Sequence, residues 1–585
     1  MVKPYLQNVT HESASVFWQT SNCGSWEIEW GYTINLGNQR NAHIENLHSS
    51  SACIQHVHLD SLLPNTKYYY QVKNNLETSG KYSFVTASLP SAETKTTIVA
   101  MSDMQQDNAN PNKFYDVVNN GVLNYFQSNF NGSFNEHLSM VLIPGDLVDE
   151  GDHHEDWVSH FFNQGSNLFS YVPLYPVLGN HERDSPLYFQ YFELPSNGSV
   201  GYEEHWWYKD RSNVRIIGMD SNVGYRIQEQ LVWLDSVLVA TQEDTLIDFV
   251  FLQLHHPHHS ELWPTGNTDF TGDVIEKMEA FSTSSGKPSI HFYGHTHGYS
   301  RGQSRDHHHL MVNVASGGGN IDYWDEYFQQ DYPEHIISQD EYGFVLLEVE
   351  AGQDPHFVLK RISLGNEIEE KQNTLEDSIK VKRYSNIPTT PNVFSPLYGD
   401  TVDPEGFFVD ISDFENQNNS EHGATHIQIS EDEFDFTNST VDYWHQYKNL
   451  YKGVDKQENT DLQRIEIKTL IPEKTYYCRV RFRDQSLNWS NWSSIVSFHT
   501  TNQYNNWKLF PNPTHGEFRI NIPLNSNETF NVQIHDQNGQ IVKEFLNVQP
   551  PVLEESLKGL RIGNYLVKIV SLSGEVKNTL KLTLI

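Results

Sequence analysis

Five apolar, strand-like segments in the first half of the chain each run directly into residues that can bind a metal ion. The segments and their polar ends are TTIVAM with Asp103 and Gln105, MVLIPGD with Asp146, YPVLGNHE with Asn180 and His181, FVFLQLHHP with His255 and His256, and IHFYGHTH with His295 and His297. Because the carboxyl ends of parallel strands open onto one crevice of an α/β sheet, we expect these residues to converge there. The series therefore predicts an α/β unit with a metal site at one edge of its sheet.

On both sides of this unit the pattern changes to short strands separated by turns. Residues 1–90 are predicted to form a small antiparallel β-sandwich and residues 389–501 a second one, because LPNTKYYYQVKN in the first is echoed by IPEKTYYCRVRFRD in the second. The α/β unit occupies 95–365, and the polar segment 366–388 is predicted to be a linker. A fourth unit of short strands with Asn-Gly and Ser-Gly turns follows at 506–585.

The composition limits the partners of the chain. Its 585 residues include 39 basic and 75 acidic side chains, and the net charge of −36 repels the phosphate backbone of nucleic acids. The sequence has no apolar run approaching the ~20 residues that a membrane span needs. Among the three cysteines, Cys478 is predicted to lie in a core, whereas Cys23 and Cys53 could form a disulfide or remain two buried thiols.

Four of the strand endings resemble the motifs of a known family. GDLVDEG, GNHE, LHHP and GHTH are similar to the motifs of calcineurin-like metallophosphoesterases, and with the preceding sandwich the chain most resembles the purple acid phosphatase branch. The resemblance implies a four-layer α/β/β/α sandwich for the α/β unit. Sandwiches similar to fibronectin type III domains would flank it, and a β-sandwich would end the chain.

The resemblance also implies a ligand set for two metal ions that share one carboxylate and a bridging water or hydroxide. The first ion would be bound by Asp103, Asp146 and His297, and the second by Asp146, Asn180, His255 and His295. His181 would contact the phosphoryl oxygen or protonate the leaving group. Mixed oxygen and imidazole ligands suit Fe, Mn or Zn, and two such cations acidify a water and neutralise charge on the phosphoryl oxygens.

Two positions depart from the family pattern. Purple enzymes have a tyrosine three residues after the bridging aspartate, but this chain has Asp149, so a coloured iron–tyrosinate is not expected. Other members have a histidine where this chain has Gln105. The amide oxygen of Gln105 could bind the first metal directly, or the side chain could reach it only through water or not at all.

The remaining histidines and the sixth strand ending have weaker signals. His258 and His259, just after LHHP, could line the substrate pocket or belong to a surface loop. His256 is expected to support its neighbour rather than bind metal. Asp220, at the end of NVRIIGMDS, is expected to have a structural role.

The end of the chain resembles a different kind of known domain. KLFPNPTHGEFRINI, from Lys508, and the later GNYLVKIVS are similar to the C-terminal sorting domain of type IX secretion. This implies the type IX machinery as a partner and a secreted or cell-surface protein of a Gram-negative bacterium. Export also needs a leader to reach the periplasm, and we expect one outside the present sequence.

These observations favour an exported, acid-phosphatase-like phosphomonoesterase acting on small or exposed phosphate esters. A phosphodiesterase or nucleotide hydrolase is an alternative, because the same two-metal core serves both reactions. A different alternative is a non-catalytic surface binding protein whose metal site has degenerated at Gln105. The presence of His181 argues against it, because a purely structural site has no use for an acid there.

Overall fold

The computed structural model describes residues 2–21, 23–417, 420–468, 470–501, 507–522, 529–549 and 552–585. Strands predominate, and they form eight sheets in four structural units. Among the described residues, no helix is both long enough and apolar enough to cross a membrane.

The α/β unit is built on two sheets that pack face to face. The first has the strand order Leu174–Pro176, Met140–Ile143, Thr96–Ala100, Tyr342–Glu350, His356–Gly365 and Glu370–Lys382. The second has the order Trp207–Arg211, Val214–Gly218, Phe249–Gln253, Ser289–Tyr293, His309–Asn313, Tyr299–Gln303, His335–Gln339, Leu450–Tyr451 and Val454–Asp455. Contacts such as that between the Phe249 and Phe357 rings, 5.3 Å apart, join the two sheets.

Helices cover the outer faces of both sheets. The helical segments are Lys113–Asp116, Val117–Leu123, Asn124–Asn129, Phe134–Glu136, His154–Asp156, Trp157–Phe162, Asn163–Phe169, Pro186–Tyr191, Val223–Tyr225, Gln228–Glu243, Pro264–Gly266 and Asp269–Ser285. Gln228–Glu243 and Asp269–Ser285 bury their apolar faces, including Leu234 and Met278, on the second sheet. The predicted α/β/β/α layering is thereby confirmed.

The prediction of a linker at 366–388 is wrong. Residues Glu370–Lys382 form a long strand that pairs antiparallel with His356–Gly365 at the edge of the first sheet. The segment is polar because much of the strand is exposed, and only alternate residues such as Ile379 and Val381 are buried. The α/β unit therefore extends to Lys382.

The N-terminal unit is a sandwich of two four-stranded sheets. One has the order Val2–Gln7, Ala14–Thr20, Cys53–Leu59 and His43–Asn46, and the other Asn38–Asn41, Glu27–Gly31, Lys67–Lys73 and Tyr82–Val85. Of the two alternatives for Cys23 and Cys53, the structure has the disulfide.

The second sandwich is joined to the α/β unit by strand pairing. Its sheets have the orders Val393–Ser395, Phe407–Ile411, Arg464–Ile467, and Thr401–Val402, Val496–Thr500, Thr475–Asp484, His422–Ser430, Val441–Gln446. Cys478 is fully buried in this core, as predicted. A hairpin of the strands Leu450–Tyr451 and Val454–Asp455 pairs with His335–Gln339 and so extends the second sheet of the α/β unit.

The C-terminal unit consists of two antiparallel sheets around a small core. Their orders are Lys508–Phe510, Glu517–Asn521, Val552–Ser556, and Ile541–Val548, Phe530–His535, Gly563–Ser571, Val576–Leu584. Ile520, Val532 and Val567 are buried where the sheets face each other.

Candidate metal centre

The backbone conformation at the strand ends helps to bring the predicted metal-binding residues together. Thr96–Ala100 and Met140–Ile143 run parallel and lead into Asp103 and Asp146, and both aspartates adopt left-handed φ angles of 59° and 52°. His295, after Ser289–Tyr293, does the same with φ 70°. Such backbone is unfavourable outside glycine, and it recurs at binding sites where the surroundings hold it in place.

The larger group of ligands gathers around His255. Its Nε2 lies 3.1 Å from Asp146 Oδ2, 3.0 Å from Asn180 Oδ1 and 3.2 Å from His295 Nδ1. His255 Nδ1 donates a hydrogen bond to the Pro144 carbonyl at 2.9 Å, so Nε2 is the nitrogen that faces the other three side chains. Donor atoms of Asp146, His255 and His295 fall within 4.8 Å of one another, which suits a single cation.

The second group brings together Asp103, Gln105 and His297. His297 Nε2 lies 3.3 Å from Asp103 Oδ1 and 3.1 Å from Gln105 Nε2, while its Nδ1 donates to the Asn320 carbonyl at 2.6 Å. The Gln105 side-chain oxygen is buried and has no hydrogen-bond partner among the described residues. A buried, unpaired oxygen is costly, and this one is a donor atom that a cation could use.

The charges in the cluster depend on one another. Burial lowers the pKa of His255 and His297, but the neighbouring Asp146 and Asp103 outweigh it and raise these pKa values to about 9 and about 10, so a metal ion bound there would displace a proton from each ring. Burial lowers the pKa of His295 to about 3, and the neighbouring His255 acts in the same direction. His295 is therefore a neutral imidazole with a lone pair, the form that binds metal. Burial opposes ionisation of Asp146, but His255 and His181 outweigh it and hold the pKa of this carboxyl well below its ordinary value. The donor set thus presents carboxylate, amide and imidazole together, and it fits the implied transition-metal ions.

His181 occupies the open side of this cluster. Its Nδ1 donates to the Asp149 carbonyl at 2.7 Å and its backbone N–H donates to Asp146 Oδ1 at 3.0 Å, while its Nε2 lies 3.9 Å from Asp146 Oδ2. About a third of the side chain is exposed. The ring is therefore fixed at one nitrogen, and the other stands beside the cluster within reach of solvent.

Glu182 is a supporting residue that the sequence reading missed. Its buried carboxylate accepts hydrogen bonds from the backbone N–H groups of Asp146, Leu147 and Gly179, at 2.7–2.9 Å. A Cβ on Gly179 would lie 2.1 Å from Asp146 Oδ1, so only glycine permits this approach of the two loops. The last letter of GNHE was the available signal.

Comparison with known proteins agrees with this geometry. Residues 96–299 match the family model for calcineurin-like phosphoesterases, and this range includes all five of the strand ends that carry the candidate ligands. The chain contains a calcineurin-like phosphoesterase domain. Residues 2–86 match the N-terminal domain of purple acid phosphatases, and residues 508–582 match a secretion system C-terminal sorting domain.

Relatives of known sequence or structure are distant. A probable inactive purple acid phosphatase of Arabidopsis thaliana is 23% identical over 355 residues, covering 52% of this chain and 55% of that protein. An uncharacterized protein of Mycobacterium tuberculosis (strain ATCC 25618 / H37Rv) is 25% identical over 226 residues, covering 34% of this chain and 42% of that protein. The chain thus spans about half the length of the curated relatives it matches.

The fold also has a counterpart among solved structures. The purple acid phosphatase PPD1 from yellow lupin seeds superposes with a TM-score of 0.51 at 17% identity, covering 65% of this chain and 74% of that one. This likeness supports the arrangement of the phosphoesterase domain with its N-terminal sandwich.

Two further residues near the phosphoesterase centre have supporting contacts. His256 lies 2.9 Å from Ser221 Oγ through its Nδ1 and packs its ring on His295. Asp220 is fully buried and accepts hydrogen bonds from Asn222, whose side chain donates to the Gly179 carbonyl at 3.2 Å. Both contacts agree with the supporting roles expected from the sequence.

His258 and His259 lie elsewhere. They line a cleft of about 770 Å³ between the phosphoesterase domain and the second sandwich, where the acidic side chains include Asp273 and Asp442. The two imidazoles stack on each other, and His259 stacks on Tyr332. Within the described part of the chain, neither has a hydrogen bond or ring contact to a residue of the metal-binding cluster, and the alternatives of substrate pocket and surface loop both stay predictions.

Proposed function

We propose that this protein is an exported phosphoesterase that hydrolyses phosphate monoesters at a centre of two transition-metal ions. The residues that would hold the ions are Asp103, Gln105, Asp146, Asn180, His255, His295 and His297. The observation that carries the proposal is the meeting of these side chains from five separate strand ends in two adjoining groups. Iron, manganese or zinc bound there would acidify a water and neutralise charge developing on the phosphoryl oxygens.

The chain's own residues would supply orientation and proton transfer. Asp146 would bridge the two ions; one of its oxygens lies 3.1 Å from His255 Nε2 and the other accepts the His181 N–H. Glu182 fixes the backbone on which Asp146 stands. His181 has one nitrogen committed to the Asp149 carbonyl, and its Nε2 would donate a proton to the departing alkoxide.

Gln105 would bind the first metal with its amide rotated, because Nε2 now faces His297 and the unpaired oxygen would take its place. Asp149 stands where a purple enzyme has tyrosine, and it accepts a hydrogen bond from the Gln106 backbone at 3.2 Å. The metal-loaded protein should therefore lack the purple iron–tyrosinate absorption.

Two features support export to the cell surface or medium of a Gram-negative bacterium. The sorting-domain match at 508–582 implies passage through the type IX machinery. The Cys23–Cys53 disulfide suits an oxidising compartment.

Substitution of the bridging carboxylate tests the function. In Asp146→Asn we expect turnover of p-nitrophenyl phosphate to fall at least about 100-fold, with loss of bound metal, because a ligand to both ions is weakened. The control Asp235→Asn, on an exposed helix face, should keep both activity and metal. Gln105→His should retain or raise the metal content.

The same assay separates the alternatives. Activity is measured on p-nitrophenyl phosphate and on its bis ester, with manganese, zinc and iron added back in turn. Faster turnover of the bis ester would favour a diesterase. A folded wild-type protein that binds metal but hydrolyses neither ester would favour a binding protein, and an Asp146→Asn variant with wild-type activity and metal content would contradict the proposal.

A further inference from the structure

Two aromatic side chains that the proposed chemistry does not use stand beside the metal-binding cluster, and a third, Phe328, follows the second in the sequence. The Trp263 ring lies 5.3 Å from the ring of His295, and the Tyr327 ring lies 6.2 Å from that of Trp263. Trp263 is half-buried, whereas Tyr327 is 44% and Phe328 is 73% exposed. We call these three residues the aromatic rim.

The approach of Trp263 to His295 is built into the local backbone. A Cβ at Gly266 would lie 2.7 Å from His295 Cδ2 and 3.1 Å from Trp263 Cε3, so a larger residue would force the indole and the imidazole apart. Large aromatic surfaces left open to water next to a polar centre are characteristic of ligand contacts. The rim therefore needs a function beyond filling the core.

The segment that carries Tyr327 and Phe328 is held at both ends. Near its start, the Asn320 carbonyl accepts from His297 Nδ1, and the Asp322 carboxylate accepts the His297 N–H at 2.8 Å. Near its end, Asp331 accepts hydrogen bonds from Asn449 and Lys456 of the second sandwich.

The middle of this segment contacts the second sandwich as well. Asp325 pairs with Lys452, and the Trp324 ring lies 5.0 Å from that of Tyr451. The exposed rings of the rim thus stand on a backbone that is fixed relative to His297, and such preorganisation lowers the cost of binding a ligand.

The charge of the segment 320–334 further limits the kinds of leaving group that it can contact. Its sequence NIDYWDEYFQQDYPE contains five acidic residues and neither lysine nor arginine. Asp325 and Asp331 are paired with lysines, so additional phosphates on a leaving group would meet chiefly Glu326 and Asp322 beside Tyr327, whereas an uncharged ring would meet indole and phenol faces. The rim therefore favours planar, uncharged groups over polyphosphates.

We propose that the aromatic rim receives the leaving group of the ester, and that the site selects phosphate monoesters with a planar aromatic leaving group. Aryl phosphates and nucleoside monophosphates share this chemistry, and simple alkyl phosphates and polyphosphates lack it or carry added charge. The proposal deepens the proposed function and rests on it. Trp263 would provide the main stacking surface, with Tyr327 as its neighbour.

The first test measures binding without turnover. Calorimetry of the metal-loaded full chain compares phenylphosphonate with methylphosphonate, which differ only in the ring. We expect phenylphosphonate to bind about tenfold more tightly to the wild type, and this ratio to approach one in Trp263→Leu. Trp263→Phe should keep most of the preference, because a flat ring remains. Equal binding of both phosphonates by the wild type would overturn the proposal.

The second test uses turnover to distinguish the two sources of the aromatic group. The ratios of kcat/KM for phenyl phosphate and for AMP, each relative to glycerol 3-phosphate, are compared between the wild type and Trp263→Leu or Tyr327→Leu. We expect one or both ratios to fall about tenfold in Trp263→Leu and less in Tyr327→Leu. Phe434→Leu, an exposed ring on the second sandwich, serves as the control.

The outcomes separate the two proposals. If Trp263→Leu lowers kcat/KM equally for aromatic and alkyl esters, the role of the rim is overturned, while the proposed phosphoesterase function stands. A wild type that prefers phenylphosphonate but hydrolyses no ester with any metal would overturn the proposed function and leave the rim as an aromatic phosphate-binding surface. Melting temperatures of all variants verify that they are folded.

Discussion

The two β-sandwiches attach to the phosphoesterase domain by opposite means. The N-terminal sandwich contributes Tyr5, Phe17 and Ile54 to the same buried cluster as the phosphoesterase strands. Tyr5 packs its ring 4.5 Å from that of Phe162 and donates its hydroxyl to the Tyr191 carbonyl at 2.8 Å. This interface is a continuation of the hydrophobic core.

The second sandwich attaches mainly through charged and polar groups. Buried Arg483 donates to the carbonyls of Ser304 and Arg305, and Trp489 Nε1 also donates to the Arg305 carbonyl. Arg481 pairs with Asp306. Along the strand Thr475–Asp484, the alternate arginines stack on tryptophan rings of the same sandwich, with separations of 4.2–5.6 Å.

The difference indicates a division of roles. Burial of apolar surface contributes strongly to stability and little to orientation. Buried charges recover their desolvation cost only when their geometry is satisfied, so they fix one arrangement more than they stabilise it. We therefore expect the N-terminal sandwich to support the fold, and the second sandwich to hold the segment 320–334 beside the metal centre.

The largest loss of stability should come from a substitution in the apolar interface of the N-terminal sandwich. Tyr5→Ala removes a buried ring and leaves the Tyr191 carbonyl unpaired, so we expect the free energy of unfolding to fall by about 3–5 kcal/mol. Urea denaturation followed by fluorescence measures it. Tyr5→Phe keeps the ring and should lose only about 1 kcal/mol. A Tyr5→Ala variant as stable as Tyr5→Phe would show that the interface is not part of the core.

A smaller, pH-dependent effect should come from Glu261, which accepts hydrogen bonds from the Tyr332 N–H and the Ser338 hydroxyl. Burial raises the pKa of Glu261 from 4.5 to about 8. The folded state keeps the Glu261 carboxyl protonated up to a higher pH than the unfolded state does. This group therefore stabilises the fold fully below pH 4.5, and the stabilisation is lost as the pH rises to about 8.

Urea denaturation between pH 5 and 8 measures this effect. Glu261→Gln should lose less stability over the interval than the wild type, by on the order of 2–4 kcal/mol. Glu243→Gln, on an exposed helix end, should follow the wild-type curve. Parallel curves for the wild type and Glu261→Gln would contradict the raised pKa.

The smallest effect on global stability should come from the polar interface itself. Asp331→Ala removes the partner of Asn449 and Lys456, and because the pair is partly exposed we expect a loss of about 1 kcal/mol or less. Hydrogen exchange should nevertheless accelerate at residues 323–332, since their anchor is lost. The exposed control Asp152→Ala should change neither quantity. Unchanged exchange in Asp331→Ala would mean that the second sandwich does not hold the segment.

The meeting of the ligands was predictable because it follows from local rules. Asp103, Asp146 and His255 each come directly after an apolar strand, and strands that run parallel bring such residues to one edge. The left-handed backbone at Asp103 and Asp146 was not predictable from residue type, since it is imposed by the loops packed around them. Glu182 was missed although it ends the GNHE motif, because its partners are backbone N–H groups and no residue type identifies them.

The sequence did not predict the structure of segments that are ordered by pairing with distant strands. The strand Glu370–Lys382 is polar enough to read as a linker, and it is ordered by pairing with His356–Gly365 and by the buried pair of Asp377 with Arg301. The hairpin Leu450–Asp455 joins a sheet that begins more than 200 residues earlier. Neither partnership can be inferred from local periodicity.

The two-residue strands that end the nine-stranded sheet have a consequence for contacts between copies of this protein. An open sheet border invites neighbouring copies to add their own strands and grow into aggregates. Here the terminal strand Val454–Asp455 offers almost no backbone for such growth, and the ion pairs of Lys452 and Lys456 place charged groups beside it. The second sandwich thereby closes this border of the sheet, which favours separate molecules over strand-to-strand association.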